Sequence, residues 1–147
     1  MKAKINFKKL DSRAVMPTYG SEYSAGADLY AVTDEDIIID SGKTVLIHTY
    51  LSMEIPEGYG GFVFARSGLA SKKGLAPANK VGVIDADYRG EIMVALHNHS
   101  SESQTVSNGE RIAQLVIMPF LAAEFIECDK LSETVRGEGG FGSTGTK

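Results

Sequence analysis

The segment 85–90 holds two acids, a tyrosine and an arginine in six positions. The flanking runs 80–84 and 91–96 are rich in apolar and β-branched residues, so the pattern predicts a hairpin closed by this turn. Turns are usually closed by glycine and small polar residues. The concentration of reactive groups therefore indicates a functional site, with Asp85 and Asp87 as candidates. A strand that continued to Asp87 would give a two-carboxylate metal site, but the pattern favours a position of Asp87 in the turn, pointing elsewhere.

Three other stretches could contribute polar chemistry. Arg66 and Ser67 stand where a strand should end and a short helix begin, and helix starts favour anions; a helix cap with a surface arginine is the alternative. Asp28 follows a run of small residues, where a turn aspartate bound to nearby amides is the simplest interpretation. Gln114 lies among apolar residues, and strand alternation predicts that it points to solvent.

The last twelve residues, 136–147, include five glycines together with Arg136, Phe141, Ser143 and Thr144. A disordered tail is one interpretation of this composition. The mixture of a cation, a stacking ring and two hydroxyls favours a binding segment instead. A nucleotide P-loop is excluded because the required lysine and following helix are missing, although glycine-rich backbone can still donate to phosphate oxygens.

Other features limit the protein class. Net charge of -4 argues against a general nucleic-acid-binding surface. The single Cys128 cannot form an internal disulfide and is expected to be buried or half-buried. His97 and His99 have strand spacing but lack the further ligands of a structural zinc site. Segment 1–14 has no apolar stretch of a signal peptide and 115–123 is too short to cross a membrane, so we expect a soluble, cytoplasmic protein without a membrane partner.

The elements that would position these residues are mostly strands. With 147 residues, the chain is the size of about one domain. Short β-branched runs between turn residues predict an all-β sandwich or barrel, with strands at 4–7, 37–40, 44–55, 61–65, 81–84, 91–97, 103–106 and 112–120. Asn108-Gly109 is the strongest hairpin-type dipeptide. Helices are predicted only at Ser67–Lys73 and, more weakly, at 131–135.

Five segments, in this order, resemble the five motifs of the trimeric dUTPases: 25–31 (AGADLYA), 65–70 (ARSGLA), 79–91 (NKVGVIDADYRGE), 109–117 (GERIAQLVI) and 136–145 (RGEGGFGSTG). The resemblance covers essentially the whole chain. These enzymes hydrolyse dUTP to dUMP and pyrophosphate, which supplies dUMP for thymidylate synthesis and limits uracil incorporation into DNA.

The resemblance implies an all-β, jelly-roll-like distorted barrel with one short helix, assembled as a homotrimer with three active sites at subunit interfaces. Residues 1–130 would form the barrel core. Residues 131–147 would form a flexible, glycine-rich arm that closes an active site of a neighbouring subunit.

The resemblance also separates the two acids of the turn. Asp85 becomes the general base that deprotonates a water attacking the α-phosphorus, and Asp87 a turn residue. Asp28 would hold Mg²⁺ through coordinated waters, the ion being chelated by the triphosphate. Tyr88 would lie under the deoxyribose and exclude a 2′-hydroxyl, with Met93 adding an apolar contact below it.

The remaining implied contacts are with the base and the phosphates. The uracil edge would pair with the backbone of 79–85, and tight main-chain packing would exclude thymine. These base contacts involve Asn79, Gly82, Val83 and Ile84. Phosphate contacts would come from Arg66, Ser67, Gly68 and Gln114, and from the arm through Arg136, Ser143 and Thr144, while Phe141 stacks on uracil.

Two alternatives keep the same fold. A dCTP deaminase, possibly bifunctional, is similar around the Arg-Ser and turn motifs, but such proteins lack the glycine-rich arm and commonly carry Phe at the Tyr88 position. A non-catalytic binding or regulatory protein would not need the complete set of implied catalytic positions.

Overall fold

The computed structural model describes residues 4–140. Within that range the chain forms eleven strands and one short helix. The strands are β1 (Asn6–Lys9), β2 (Thr18–Tyr19), β3 (Ala27–Tyr30), β4 (Ile37–Ile39), β5 (Thr44–Glu54), β6 (Tyr59–Phe64), β7 (Leu75–Pro77), β8 (Gly82–Ile84), β9 (Ile92–Asn98), β10 (Gln104–Val106) and β11 (Arg111–Pro119), and the helix is α1 (Ser67–Lys73). The predicted all-β class and the single short helix are confirmed.

The strands form three sheets. One has the order β1-β5-β9-β7, the second β2-β3-β11-β6-β8, and the third pairs β10 with β4. All described pairings are antiparallel. Apart from β2 and β3, strands that follow each other in the sequence lie in different sheets. The connections therefore repeatedly cross between sheets, as expected for a jelly-roll-like barrel.

The predicted hairpin at 85–90 is wrong in one respect. Strands β8 and β9 flank the turn, but β8 pairs with β6 while β9 pairs with β5 and β7. The same holds for Asn108-Gly109, whose flanking strands β10 and β11 belong to different sheets. A turn signal indicates where the chain reverses, whereas the sheet that each strand joins depends on packing far away in sequence.

Apolar side chains from all three sheets fill the core. Leu29, Ile39, Ile47, Leu96 and Ile112 are fully buried. Burial in β9 alternates from Ile92 onward, which is the pattern of a strand with one face on the core. A shared core of this kind fixes the sheets relative to one another, and with them the turn that crosses between them.

The helix α1 ends at Gly74, which adopts the left-handed conformation at the C-cap (φ 65°) and donates its N–H to the Ala70 carbonyl. This seven-residue element is the one helix within 4–140, and it is too short to cross a bilayer. The weaker helix prediction at 131–135 is wrong, because that segment has no regular structure.

The chain leaves the barrel after Pro119, where the last strand ends, and residues 119–138 are exposed. Cys128 lies in this segment and is exposed, contrary to the expected burial. Because no part of the chain between residues 4 and 140 packs over this segment, the thiol stays on the surface. The division between core and arm at residue 130 stays a prediction.

Candidate functional site

A pocket opens where the edge of one sheet faces the next, and we call it the inter-sheet pocket. Its walls come from β6 and β8 on one side and from β5, β7 and β9 on the other. The lining residues are Leu46, Val63, Pro77, Asn79, Gly82, Val83, Ile84, Asp85, Tyr88, Glu91, Ile92, Met93, Val94 and Ala95. Its volume of about 440 Å³ is within the range of small-molecule sites. The structure thus brings together Asn79, Gly82–Ile84, Asp85, Tyr88 and Met93.

The strand β8 presents an unpaired backbone edge at this pocket. It is the last strand of its sheet and pairs only with β6. The outward N–H and C=O groups of an edge strand are available to a ligand. Before β8 the chain makes a tight turn in which Lys80 adopts φ 65° and Val81 donates its N–H to the Asn79 carbonyl. This turn sets the amide of Asn79 beside the free edge.

The turn 85–90 is held by hydrogen bonds within itself and to its surroundings. Ser52 on β5 donates its hydroxyl to the Arg89 carbonyl (2.7 Å). The Arg89 guanidinium donates to the carbonyls of Ala86 (2.6 Å) and Tyr88 (3.0 Å). The Tyr88 hydroxyl donates to the Glu91 carbonyl (2.9 Å). The turn is therefore a fixed crossing between sheets.

The two acids of the turn line different depressions of the surface. Asp85 lines the inter-sheet pocket, whereas Asp87 lines another depression with Glu54, Glu57 and Arg89. Both are exposed, and neither carboxylate accepts a hydrogen bond from residues 4–140. Only Asp85 can therefore reach a ligand held beside Tyr88 in this protomer.

A second pocket, which we call the arginine pocket, surrounds Asp28. Its lining residues are Gly20, Ser24, Ala25, Gly26, Asp28, Arg66, Ser67, Gly68, Arg111 and Gln114. Asp28 is 7% exposed and accepts hydrogen bonds on both oxygens, from Arg66 Nε (2.7 Å) and Arg111 Nη1 (3.2 Å). Two guanidinium groups thus face one carboxylate. The local excess of positive charge suits an anion such as phosphate.

Gln114 points away from the core between the buried Ala113 and Leu115, as strand alternation predicts, and it is half-buried there because it lines the arginine pocket. Its Nε2 donates to the Ala65 carbonyl (2.9 Å), and its side chain covers Gly26 so closely that a Cβ there would collide with it. The pairing of β11 with β3 shifts register between Arg111 and Ala113. Such a bulge breaks the two-residue period and aims Arg111 and Gln114 at one region.

The start of α1 forms another wall of the arginine pocket. Arg66 is the N-cap residue, but no side chain caps the helix and its first turn contains no acid. The first N–H groups of a helix have no acceptor within the helix. A Cβ on Gly68 would meet no atom of the described chain within 4 Å. Packing within the protomer therefore does not explain this glycine, and the free space is available to a ligand.

The C-terminal segment contributes to neither pocket within the described part of one protomer. Arg136 donates from Nε to the Gly139 carbonyl (2.7 Å), and Gly139 donates its N–H back to the Arg136 carbonyl (3.0 Å). These contacts are local. The other expected arm residues, Phe141, Ser143 and Thr144, lie outside the described residues.

Asp28 is compatible with a metal ion only through water molecules bound to that ion. Residues 4–140 contain no group of three or more His, Cys, Asp or Glu side chains that could hold a metal ion. One carboxylate that already binds two guanidinium groups is a poor direct ligand. It can still accept a hydrogen bond from metal-bound water, which fits a magnesium ion chelated mainly by a ligand's phosphates.

The histidine pair lies away from both pockets. The rings of His97 and His99 meet edge to face with centroids 4.4 Å apart. Desolvation, assisted by the charges of His97 and Lys80, lowers the pKa of His99.

Comparison with known proteins identifies the family. The model of the dUTPase family matches residues 12–145. The chain belongs to the dUTPase family. Among curated dUTPases, it is 53% identical over 146 residues to the deoxyuridine 5'-triphosphate nucleotidohydrolase of Desulfitobacterium hafniense, covering 99% of this chain and 97% of that protein. It is 50% identical over 142 residues to the one from Nautilia profundicola, covering 97% and 99%. The prediction of a dUTP diphosphatase enzyme is confirmed.

Solved dUTPase structures agree with the fold. The dUTPase of Staphylococcus bacteriophage 80alpha with dUPNHPP superimposes with a TM-score of 0.89 at 30% identity, covering 98% of this chain and 99% of that one. A point mutant of the dUTPase of S. aureus phage phi11, described with a structural Mg(II) ion, gives a TM-score of 0.76 at 25% identity, covering 87% and 98%.

Two residues that line the candidate pockets were missed from sequence. Arg111 lies within the fourth motif, but its approach to Asp28 depends on the bulge in β11, which has no clear sequence signal. Glu91 closes the third motif and lines the inter-sheet pocket. The pairing of β5 with β9 shifts register between His48 and Leu51, and the Glu91 carboxylate accepts the Tyr50 N–H there (2.8 Å). Local spacing in the sequence gives no signal for this contact.

Proposed function

We propose that the chain hydrolyses dUTP to dUMP and pyrophosphate, with Asp85 as the general base and both pockets contributing to each active site. The observation that carries this proposal is the arrangement of Asp85, Tyr88 and the free edge of β8 around one pocket. A nucleoside in that pocket would offer its base to the strand edge and its sugar to Tyr88. Its α-phosphate would then lie near Asp85.

The base would be read mainly by backbone. Uracil has donors and acceptors along one edge, which the free groups of β8 and the Asn79 amide can satisfy. Cytosine reverses a donor and an acceptor there, so buried backbone groups would be left unpaired. Gly82 packs closely against Val63: a Cβ added to this glycine would lie 3.3 Å from the Val63 Cβ. Such close packing supports the exclusion of thymine, whose methyl group needs additional space.

The phosphates would occupy the arginine pocket. Arg66, Ser67, Gly68 and Gln114 would hold phosphate oxygens, joined by Arg111. A magnesium ion carried by the triphosphate would neutralise charge on the leaving pyrophosphate. Asp28 would accept hydrogen bonds from waters on that ion while keeping Arg66 and Arg111 oriented.

Asp85 would accept a proton from a water as that water attacks the α-phosphorus. The new bond forms between the water oxygen and the α-phosphorus, and the bond from phosphorus to the α,β-bridging oxygen breaks. Pyrophosphate leaves with the bonding electron pair, and dUMP remains. A correctly positioned base of this kind contributes about 10² to 10⁴ in rate.

We also propose that the active form is a homotrimer in which the inter-sheet pocket of one protomer meets the arginine pocket of another. The two pockets share no lining residue. Asp85 and Tyr88 are exposed in the single protomer, although catalysis by a base benefits from exclusion of bulk water. The segment after β11 exposes Leu121, Phe125 and Leu131 by more than 80% each, which favours burial against another subunit.

The arm would complete the site in that assembly. Arg136 would face the γ-phosphate, Phe141 would stack on uracil, and Ser143 and Thr144 would bind phosphate oxygens. Because the described contacts of Arg136 are local, its side chain can change partners without disturbing the barrel.

The test is pyrophosphate release measured in parallel with dUTP, UTP, dTTP and dCTP in the presence of magnesium. Fast release from dUTP and at least about 100-fold slower release from the other three supports the proposal. Ammonia release from dCTP would favour the deaminase alternative. Nucleotide binding without turnover of any of the four would favour a non-catalytic binding protein.

A further inference from the structure

The start of β9 is joined to an irregular part of β5 by one side chain. Pairing between these strands shifts register between His48 and Leu51, and Tyr50 there adopts φ 50°, in the left-handed region. Such a conformation is unfavourable for a non-glycine residue and persists only where surrounding contacts hold it. The irregularity lies on the strand next to the turn that carries Asp85 and Tyr88.

Glu91 supplies those contacts. Its Oε1 accepts the Tyr50 backbone N–H (2.8 Å), and both carboxylate oxygens lie 3.0 Å from His48 Nδ1. The Glu91 side chain is only 15% exposed. The His48 ring stacks on the Tyr50 ring with centroids 4.9 Å apart. The carboxylate therefore satisfies a backbone donor that the distorted ladder leaves free.

Glu91 also binds Tyr88, the residue expected to contact the sugar. The Glu91 carbonyl accepts the Tyr88 hydroxyl (2.9 Å), and the Tyr88 ring lies over Gly90 so closely that a Cβ at Gly90 would collide with it. The position of the Glu91 backbone therefore sets the position of the Tyr88 hydroxyl, and its side chain fixes that backbone to β5.

We propose that Glu91 is a positioning residue for sugar discrimination: by binding the bulge of β5, it holds Tyr88 where the ring excludes a 2′-hydroxyl. This inference rests on the proposed function and on the role of Tyr88 within it. Glu91 acts through Tyr88.

Glu110 provides a matched control. Its carboxylate also joins a backbone donor and a cation, accepting from the Ser107 N–H (3.2 Å) and from Lys73 Nζ (2.6 Å). It lines neither the inter-sheet pocket nor the arginine pocket. A purely structural role for such a carboxylate should therefore give the same result at both sites.

The experiment compares kcat and KM for dUTP and UTP in the wild type, Glu91→Ala, Glu91→Gln and Glu110→Ala. We expect Glu91→Ala to reduce the ratio of kcat/KM for dUTP over UTP by about tenfold, the effect expected for losing a charged hydrogen bond. Glu91→Gln keeps an acceptor for the Tyr50 N–H and should restore most of the ratio. Glu110→Ala should lower the melting temperature and keep the ratio.

A double-mutant comparison tests the route through Tyr88. Tyr88→Phe removes the hydroxyl bond to the Glu91 carbonyl, so the effects of Glu91→Ala and Tyr88→Phe on the ratio should be less than additive. If Glu91→Ala does not fold, Glu91→Asp takes its place, because the shorter side chain should also reduce the ratio. An unchanged ratio in folded Glu91→Ala, or in Glu91→Asp where the alanine variant does not fold, overturns the proposal, and so does an equal loss in Glu110→Ala. A wild type that does not hydrolyse dUTP would instead overturn the proposed function.

Discussion

Besides the carboxylates of Asp85 and Glu91, the inter-sheet pocket presents backbone groups and apolar side chains, whereas the arginine pocket presents two guanidinium groups. In the first, an edge strand and an anchored turn are fixed by the barrel. In the second, Arg66 and Arg111 are oriented by a single nearly buried carboxylate, Asp28. The difference matches the proposed ligand: a planar base needs fixed hydrogen-bonding groups, while phosphates need positive charge. Each pocket by itself would bind only half of a nucleoside triphosphate.

The largest predicted effect separates the two acids of the turn. Asp85→Asn should reduce kcat for dUTP by about 10² to 10⁴ because the amide cannot accept the proton. Binding of a non-hydrolysable dUTP analogue, measured by calorimetry, should remain. Asp87→Asn is the matched control because Asp87 opens away from the inter-sheet pocket, and its kcat should stay near the wild-type value. Near-normal turnover by Asp85→Asn would remove Asp85 from its proposed role.

Deletion of 136–147 tests whether the two pockets suffice without the arm. Within residues 4–140 Arg136 makes only local contacts, so the melting temperature and oligomeric state should change little. We expect kcat to fall on the order of 100-fold, since imperfect positioning of the substrate has effects of this size. Removal of residues 146–147 alone leaves the fifth motif intact and serves as the control. A fully active protein lacking 136–147 would show that the arm has no part in turnover.

Alanine substitutions at Gly68 and Gly82 should distinguish an effect on substrate binding from an effect on packing. Gly68→Ala adds a methyl group that meets no described atom and improves helix propensity, so stability should stay equal or rise by up to about 1 kcal/mol. The KM for dUTP should nevertheless increase about tenfold if phosphate fills that space.

Gly82→Ala should behave differently. Its Cβ would lie 3.3 Å from the Val63 Cβ and 3.4 Å from Asn79 Nδ2, so it should cost about 1 kcal/mol of unfolding free energy as well as activity. Denaturant unfolding and steady-state kinetics measure both quantities. Equal behaviour of the two variants would remove the distinction between the pockets.

The smallest predicted effect is a change in stability at an ion pair away from both pockets. Hydrogen bonds from the Arg13 side chain and backbone lower the pKa of Asp11 from 3.8 to about 2. Because the folded-state pKa is depressed, the contact stabilises the protein above pH 3.8 and its contribution disappears as the pH falls through about 2. Asp11→Asn should therefore be slightly less stable than the wild type at about pH 5, with a difference that shrinks towards about pH 2.

This difference should be small because the pair is exposed, and salt should weaken it. Unfolding at several pH values and two salt concentrations measures it, while kcat/KM for dUTP should not change. A stability difference that is independent of pH would contradict the assignment.

Sequence patterns predicted the positions of many strands, because β-branched residues favour extended backbone and turn residues end it, and both effects are local. They did not predict how the strands are paired. Residues 85–90 have the composition of a hairpin turn and therefore predicted a hairpin. The pairing partners of β8 and β9, however, depend on packing in the core. The strand β3 was missed because Ala27–Tyr30 is short, contains Asp28 and is buried on both faces, so it does not alternate.

The candidate site shows the same limit. Asp85, Tyr88 and Asn79 could be proposed from one continuous segment whose resemblance to a motif is close. That Arg111 and Gln114 face one region depends on the bulge in β11, and Glu91 depends on the bulge in β5. Bulges change which side chains share a face, and they are produced by packing between strands distant in sequence. Location in the cytoplasm and the trimer stay predictions.

Subunit mixing tests most directly whether the two pockets complete each other across a subunit boundary. Asp85→Asn damages the inter-sheet pocket and Arg66→Ala damages the arginine pocket, so each variant alone should have little dUTPase activity. Co-expression with different affinity tags, followed by purification on both tags, yields mixed oligomers. If neighbouring protomers of a cyclic trimer form each site, every mixed trimer should regain about one intact site in three. Mixed oligomers as inactive as the separate variants would contradict the account.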